Sequence, residues 1–237
     1  MKPWKLASTV AALFLAAGVS PSMGQTAAQP KVAPGPDEPD WVVVLETRYG
    51  LSMFGDLVNP VETTPEATPG LFRKAGDGPV TYRPLIALGM VTRTRGGWYR
   101  PKGEAAPEKT QTWSYTFRNT TQDLQDEVNL PPPLEEGTAL EFDPGAAPFG
   151  VWVSNDNFDD GGAFTEPALV ARINARLAPQ PYKAMIYPNK DKATGRLIPN
   201  SYLIGWEYST NDDFQDVVCQ IDNVVLVAPS EAAAKGE

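Results

Sequence analysis

Apolar and polar residues alternate with a period of two through most of the middle and end of the chain. In QTWSYTFR, Trp113, Tyr115 and Phe117 fall on one face while Ser114 and Thr116 fall on the other. That is the pattern of a half-buried strand, so the three rings are expected in a core and the two hydroxyls outward or toward an edge. WVVVLET, TYRPLIALGMVTRT, TALEF, FGVWVS, YKAMIYP, SYLIGWEY and DVVCQIDNVVLV are read as strands on the same grounds. About eight strands separated by turn and loop chemistry predict an all-β fold, a mostly antiparallel, jelly-roll-like β-sandwich.

One segment breaks the alternation. TEPALVARINARLA places Leu169, Ile173 and Leu177 in one stripe with Val170 beside it. Thr165 offers an N-cap, Glu166 suits the positive helix end and Pro167 fits a first turn, so one short helix is expected from Glu166 to about Leu177. It would close one end of the sandwich.

The two ends of the chain read differently. Lys2 and Lys5 precede an apolar run from Val10 to Val19, and small residues Ser22 and Gly24 follow at cleavage-site positions. This order predicts a secretory signal peptide over 1–24, too short to span a bilayer. Residues 25–40, rich in Pro, Ala and Gln, read as a flexible leader, 41–228 as the sandwich domain, and 229–237 as a disordered tail. The expected location is secreted or periplasmic, with no membrane span.

Charge and missing residue types narrow the chemistry. Cleavage leaves 237 − 24 = 213 residues, and removing two Lys gives a mature charge of 18 − 29 = −11. Such acidity disfavours nucleic acid and suits cation binding. The chain has no His, which removes Ser-His-Asp and Cys-His catalysis and the usual zinc and copper sites. A metal would have to be hard and oxygen-bound, with calcium first. Cys219 is alone, so no internal disulfide forms, and its alternation with Val217 and Ile221 predicts a small buried thiol.

Two acidic loops are the candidate cation ligands. Asp213, Asp216 and Asp212 precede the last strand, and Glu207 ends the strand before it. Carboxylates this close repel unless a cation or hydrogen-bond donors intervene, so the stretch is either a calcium site or a turn whose polar side chains cap backbone N–H groups. In NDNFDDGG, Asn155, Asn157 and Asp159 share every-second-residue spacing, with Asp156 beside them, but the acidic terminus of an EF-hand loop is missing. A plain polar turn is the alternative there.

The motif DDFQDVVCQIDNV resembles the hallmark of a secreted bacterial β-sandwich domain family of unknown function, whose last strand is entered by Asp, Tyr or Phe, any residue, Asp and then apolar residues. Asp213, Phe214, Asp216, Val217 and Val218 match it, with Gln215 where Asn is usual. Upstream, Tyr187, Pro188, Lys190, Asp191, Pro199, Asn200, Tyr202 and Glu207 match C-terminal segments of exported proteins of this kind, so the resemblance covers about residues 142–227. It implies a β-sandwich of an extracellular protein that binds calcium or a surface ligand, with Asp213 and Asp216 as ligands.

Aromatic residues give a second candidate surface. Trp98 and Tyr99 lie in RGGWYRP, read as a Gly- and Arg-rich loop where an exposed ring could stack on a sugar; a ring folded over the sandwich edge is the alternative. Trp152 and Trp206 are expected in the core. The expected function is an exported, non-catalytic binding or structural module, stabilised by calcium and recognising glycan or an extracellular protein. The competing class is a carbohydrate-active hydrolase or lyase using paired carboxylates drawn from Glu46, Glu141, Glu166 and Glu207. A scaffold meeting protein partners through its sheet edges is a third. Oligomeric state stays open.

Overall fold

The computed structural model describes residues 39–49, 70–89, 92–103, 105–117, 130–157, 161–174, 183–208 and 213–227. The segments read as signal peptide and tail, nearly all of the one read as leader, Asp159 and Asp212 lie outside these residues, as does the side chain of Phe117.

The fold is an all-β sandwich with short helical pieces. Strands β1 (Phe72–Lys74), β2 (Val80–Ala87), β3 (Thr92–Arg100), β4 (Glu108–Phe117), β5 (Glu141–Phe142) and β6 (Gly150–Asn155) come first. They are followed by β7 (Ala163–Phe164), β8 (Ala184–Lys190), β9 (Leu197–Trp206), β10 (Val217–Asp222) and β11 (Val224–Leu226). A five-stranded sheet runs in the order β5-β2-β10-β9-β8 and a four-stranded sheet in the order β4-β3-β6-β7, while β1 and β11 form a ribbon. Among the described residues every strand pairing is antiparallel.

The inner faces of the two main sheets supply one core. Tyr82, Ile204, Trp206, Val217, Cys219 and Ile221 meet Trp113, Tyr115, Val151 and Val153, all buried. The Tyr82 and Trp113 rings bridge the sheets at 5.7 Å between centroids. Trp113, Tyr115, Trp152 and Trp206 are buried as the alternation predicts. Burial raises the pKa of the Cys219 thiol to about 12, so it stays protonated and inert.

Five local expectations are corrected. WVVVLET is not a strand: Trp41–Val44 form helix α1 and Leu45–Tyr49 continue it as a π-helical turn. Asp40 caps it, its carboxylate accepting the Val43 N–H at 2.8 Å. Trp41, Val44 and Leu45 then form an i, i+3, i+4 stripe packed on Ile86, Met185, Leu203 and Val218 from the outer face of the five-stranded sheet. Burial of that stripe outweighs the weak strand preference of the valines. The segment is a third layer.

RGGWYRP is not a loop but the end of β3, with Gly96 paired to Trp113 across a register shift. A β-carbon at Gly96 would stand 2.0 Å from Trp113 Cζ2, and one at Gly97 would stand 1.9 Å from the Thr110 carbonyl oxygen. These glycines make room for a ring and a backbone rather than a turn.

Ser114 does not face solvent. It is buried beneath the 134–139 segment, donating to Glu135 Oε2 at 2.8 Å, whereas Thr116 on the same face is exposed. The helix after β7 is α2 (Pro167–Ile173), with Glu166 at its N-cap position. Thr165 is not the cap: its hydroxyl donates to the Gly70 carbonyl at 2.6 Å and accepts the Val151 N–H at 3.2 Å. Two inter-segment ties outweigh one local cap. Leu169 and Val170 are buried as expected.

The last apolar run is two strands rather than one. β10 lies between β2 and β9, and β11 pairs with β1. Asn223, at φ 63°, makes the break. Its Oδ1 accepts the Gly76 N–H at 3.1 Å while Nδ2 faces the Asp77, Gly78 and Pro79 carbonyls at 3.1–3.4 Å.

Candidate functional site

The acidic stretch lies at the end of the five-stranded sheet, beneath α1. Alternation along β9 puts Leu203, Gly205 and Glu207 on the outer face, and along β8 it puts Lys183 with Met185 and Tyr187. The Glu207 N–H donates to the Lys183 carbonyl at 3.1 Å, so these two residues are backbone neighbours. The Trp41 N–H donates to the Asp213 carbonyl at 2.8 Å, tying the third layer to the stretch. Glu207, Asp213, Asp216 and Lys183 are all buried.

Burial of three carboxylates demands strong acceptor use. Glu207 Oε2 accepts the N–H groups of Asp213 at 2.9 Å and Phe214 at 3.3 Å. Asp213 accepts the Gln215 side-chain amide at 2.9 Å, and Asp216 Oδ2 accepts the Tyr208 N–H at 2.6 Å. Phe214 has φ 57°, a left-handed conformation costing about 1–2 kcal/mol for a residue with a β-carbon. The Asp213 and Phe214 N–H groups converge on one carboxylate oxygen in this turn, and the Phe214 ring packs in the cluster under Trp41. Successive N–H groups in such a turn form an anion nest. Here the anion is the chain's own Glu207.

The arrangement therefore locks a turn. Glu207 and Asp216 oxygens expected to meet a cation accept backbone donors and Asp213 accepts a side-chain amide, and no group of three His, Cys, Asp or Glu side chains suited to a metal occurs among the described residues. Gly89 belongs to the same lock: a β-carbon there would stand 1.7 Å from Asp216 Oδ1.

The second acidic loop shares this end of the sandwich, because residues 88–91 connect β2, paired to Val217, with β3, paired to Asn155. Its groups have other partners. Asn155 is buried, its Oδ1 accepting Thr92 Oγ1 at 3.0 Å and its Nδ2 donating to Thr94 Oγ1 at 3.0 Å. Asp156 is exposed and paired to Arg95.

Trp98 and Tyr99 point to opposite faces of β3. Trp98 is half-buried, stacked on Phe142 at 5.4 Å with ring planes 4° apart, and the Arg100 guanidinium stands 5.2 Å from its centroid. Tyr99 is fully buried, and its hydroxyl donates to Glu166 Oε2 at 2.7 Å. The rings proposed to stack on sugar are engaged by protein groups. Burial raises the pKa of the Glu166 carboxyl, while the Tyr99 hydrogen bond and Arg172 oppose the rise. Glu46 and Glu141 are exposed on separate elements, α1's continuation and β5.

Lys183 and Tyr208 complete the site without having been singled out in the sequence, and Gln215, noted there only as a departure from the motif, supplies a donor to Asp213. Lys183 had a signal: it shares parity with Met185 and Tyr187, an apolar face on which a lysine implies a buried cation. Comparison with known proteins finds no matching family model, no similar curated protein and no similar solved structure.

Proposed function

We propose that the chain is an exported, non-catalytic structural or binding module built on a β-sandwich. The observation that carries this reading is the Glu207 nest. The side chains best suited by type to bind a cation or to act as paired acid and base are buried, and they hold a strained turn. Glycan or protein recognition then falls to surface features outside this turn.

Thermal melting of the mature protein with EDTA and with millimolar calcium tests it, for wild type and for Glu207→Gln. The reading expects one wild-type midpoint in both solutions and a lower midpoint for the variant in both. A calcium-dependent rise in wild type, abolished by Asp213→Asn, would replace it with the calcium-stabilised module, since an ion bound only by the folded state stabilises by mass action.

A further inference from the structure

The strands β8 and β9 run past the sandwich as an arm. Pro188 pairs with Tyr202 and Lys190 with Leu197, so β9 carries extra residues that loop out, and everything from Asp191 to Asn200 is exposed. Leu197 is 51% exposed and Ile198 37%, consecutive residues of β9 that project from opposite faces of the ribbon. The arm 190–200 carries Lys190, Lys192 and Arg196 against Asp191, a charge of +3 − 1 = +2, so the rest of the chain carries −9 − 2 = −11. Asp191 closes the arm's turn, accepting the Thr194 N–H at 2.8 Å.

The opposite edge of the sandwich has the complementary character. β8 is the last strand of its sheet on one side, whereas β4 lies against β2 near the other side, where β5 ends the sheet. Beyond β4, Leu134 bridges to Tyr115 and is 37% exposed. In LEEGTALE over 134–141, Glu135 is paired with Arg93 at 2.7 Å, while Glu136 and Glu141 are exposed. The arm is basic and carries the exposed Leu197, and the opposite edge is acidic and carries the exposed Leu134.

We propose that the β8–β9 arm of one copy docks on the 134–141 edge of a second copy of this chain. Such an interface joins two different patches, so copies associate head to tail. Leu197 would cover Leu134 and the prolines before it, while Lys192 and Arg196 face Glu136 and Glu141. Association of this kind is steered by charge and weakened by salt. The proposal rests on the module reading and names its partner. The two can fail separately, because the melting test of Glu207 does not depend on association.

Sedimentation velocity of the mature protein over a concentration series, at low and at high salt, tests it. The expected result is a mass that grows with concentration at low salt and falls toward the monomer at high salt. Leu197→Ser with Arg196→Glu should remove the growth while leaving the melting midpoint of the exposed arm's parent fold unchanged. Glu136→Arg should weaken self-association, and mixing it with Arg196→Glu should restore it between the two variants. A monomer at low salt up to near-millimolar concentration overturns the proposal. So does association that the arm variants leave intact.

Discussion

The Trp41 indole closes directly over Gly205. A β-carbon at that glycine would stand 2.8 Å from Trp41 Cε3 and 2.7 Å from the Phe214 carbonyl oxygen. Gly205→Ala should therefore lift the third layer from the sheet and cost roughly 1–3 kcal/mol as an overpacked site. Urea denaturation measures it, with Gly76→Ala, whose nearest neighbour would be 3.6 Å away, as a control.

Glu207→Ala removes the anion from the nest and leaves the Asp213 and Phe214 N–H groups buried without it. Each such donor costs about 1–3 kcal/mol, so a loss of at least about 2 kcal/mol is expected. Because the nest selects a carboxylate, formate should restore part of the variant's midpoint while leaving wild type unchanged. Equal effects of formate on both proteins would show that no nest had been opened.

Trp113→Ala should cost about 3–5 kcal/mol, the range for a large ring lost from a core. The ring is fully buried and fills the space left by Gly96. A loss below about 1 kcal/mol, typical of surface sites, would misplace the ring.

Asn223 supplies both a left-handed backbone and a side-chain clamp. Stability should fall in the order Asn223, Asn223→Gly, Asn223→Ala, since Gly keeps the backbone and loses the clamp while Ala loses both. Thermal midpoints of the three proteins give the order.

Glu166 makes stability depend on pH. Burial raises its folded pKa above the ordinary 4.5, so the folded state holds the proton more tightly than the unfolded chain. The resulting stabilisation is fully present below 4.5 and is lost as pH rises through the raised folded value. Glu166→Gln should lack this term, so the stability difference between variant and wild type should shift in the variant's favour across that window. Denaturation at a series of pH values measures the difference.

Strands were legible where alternation was strict, as in Trp113 to Tyr115 and Val217 to Ile221. The helix at Trp41 was legible too, since Asp40 as a cap precedes apolar residues at i, i+3 and i+4, but three consecutive valines favoured the strand reading. Gly96 and Gly97 look like turn residues in isolation. Only the partner strand shows that a Trp ring and a carbonyl need their space. The carboxylates of the candidate site were legible by type, whereas their burial arises from α1, β8 and the Phe214 turn, which are distant in sequence.

The pairing of β1 with β11 and the bond from Trp41 to Asp213 join the start of the described chain to its end. A ribosome delivers Trp41 and Phe72 early and their partners last. Until Leu226 has emerged, the sandwich lacks the strand that completes its ribbon, and the outer face of β9 lacks the turn that seats its cover. The fold thus closes by meeting of its two ends, a long-range event that makes folding slow and leaves the Trp41 stripe uncovered in the meantime. A chain truncated before Asp213 should be held open and sticky rather than partly native.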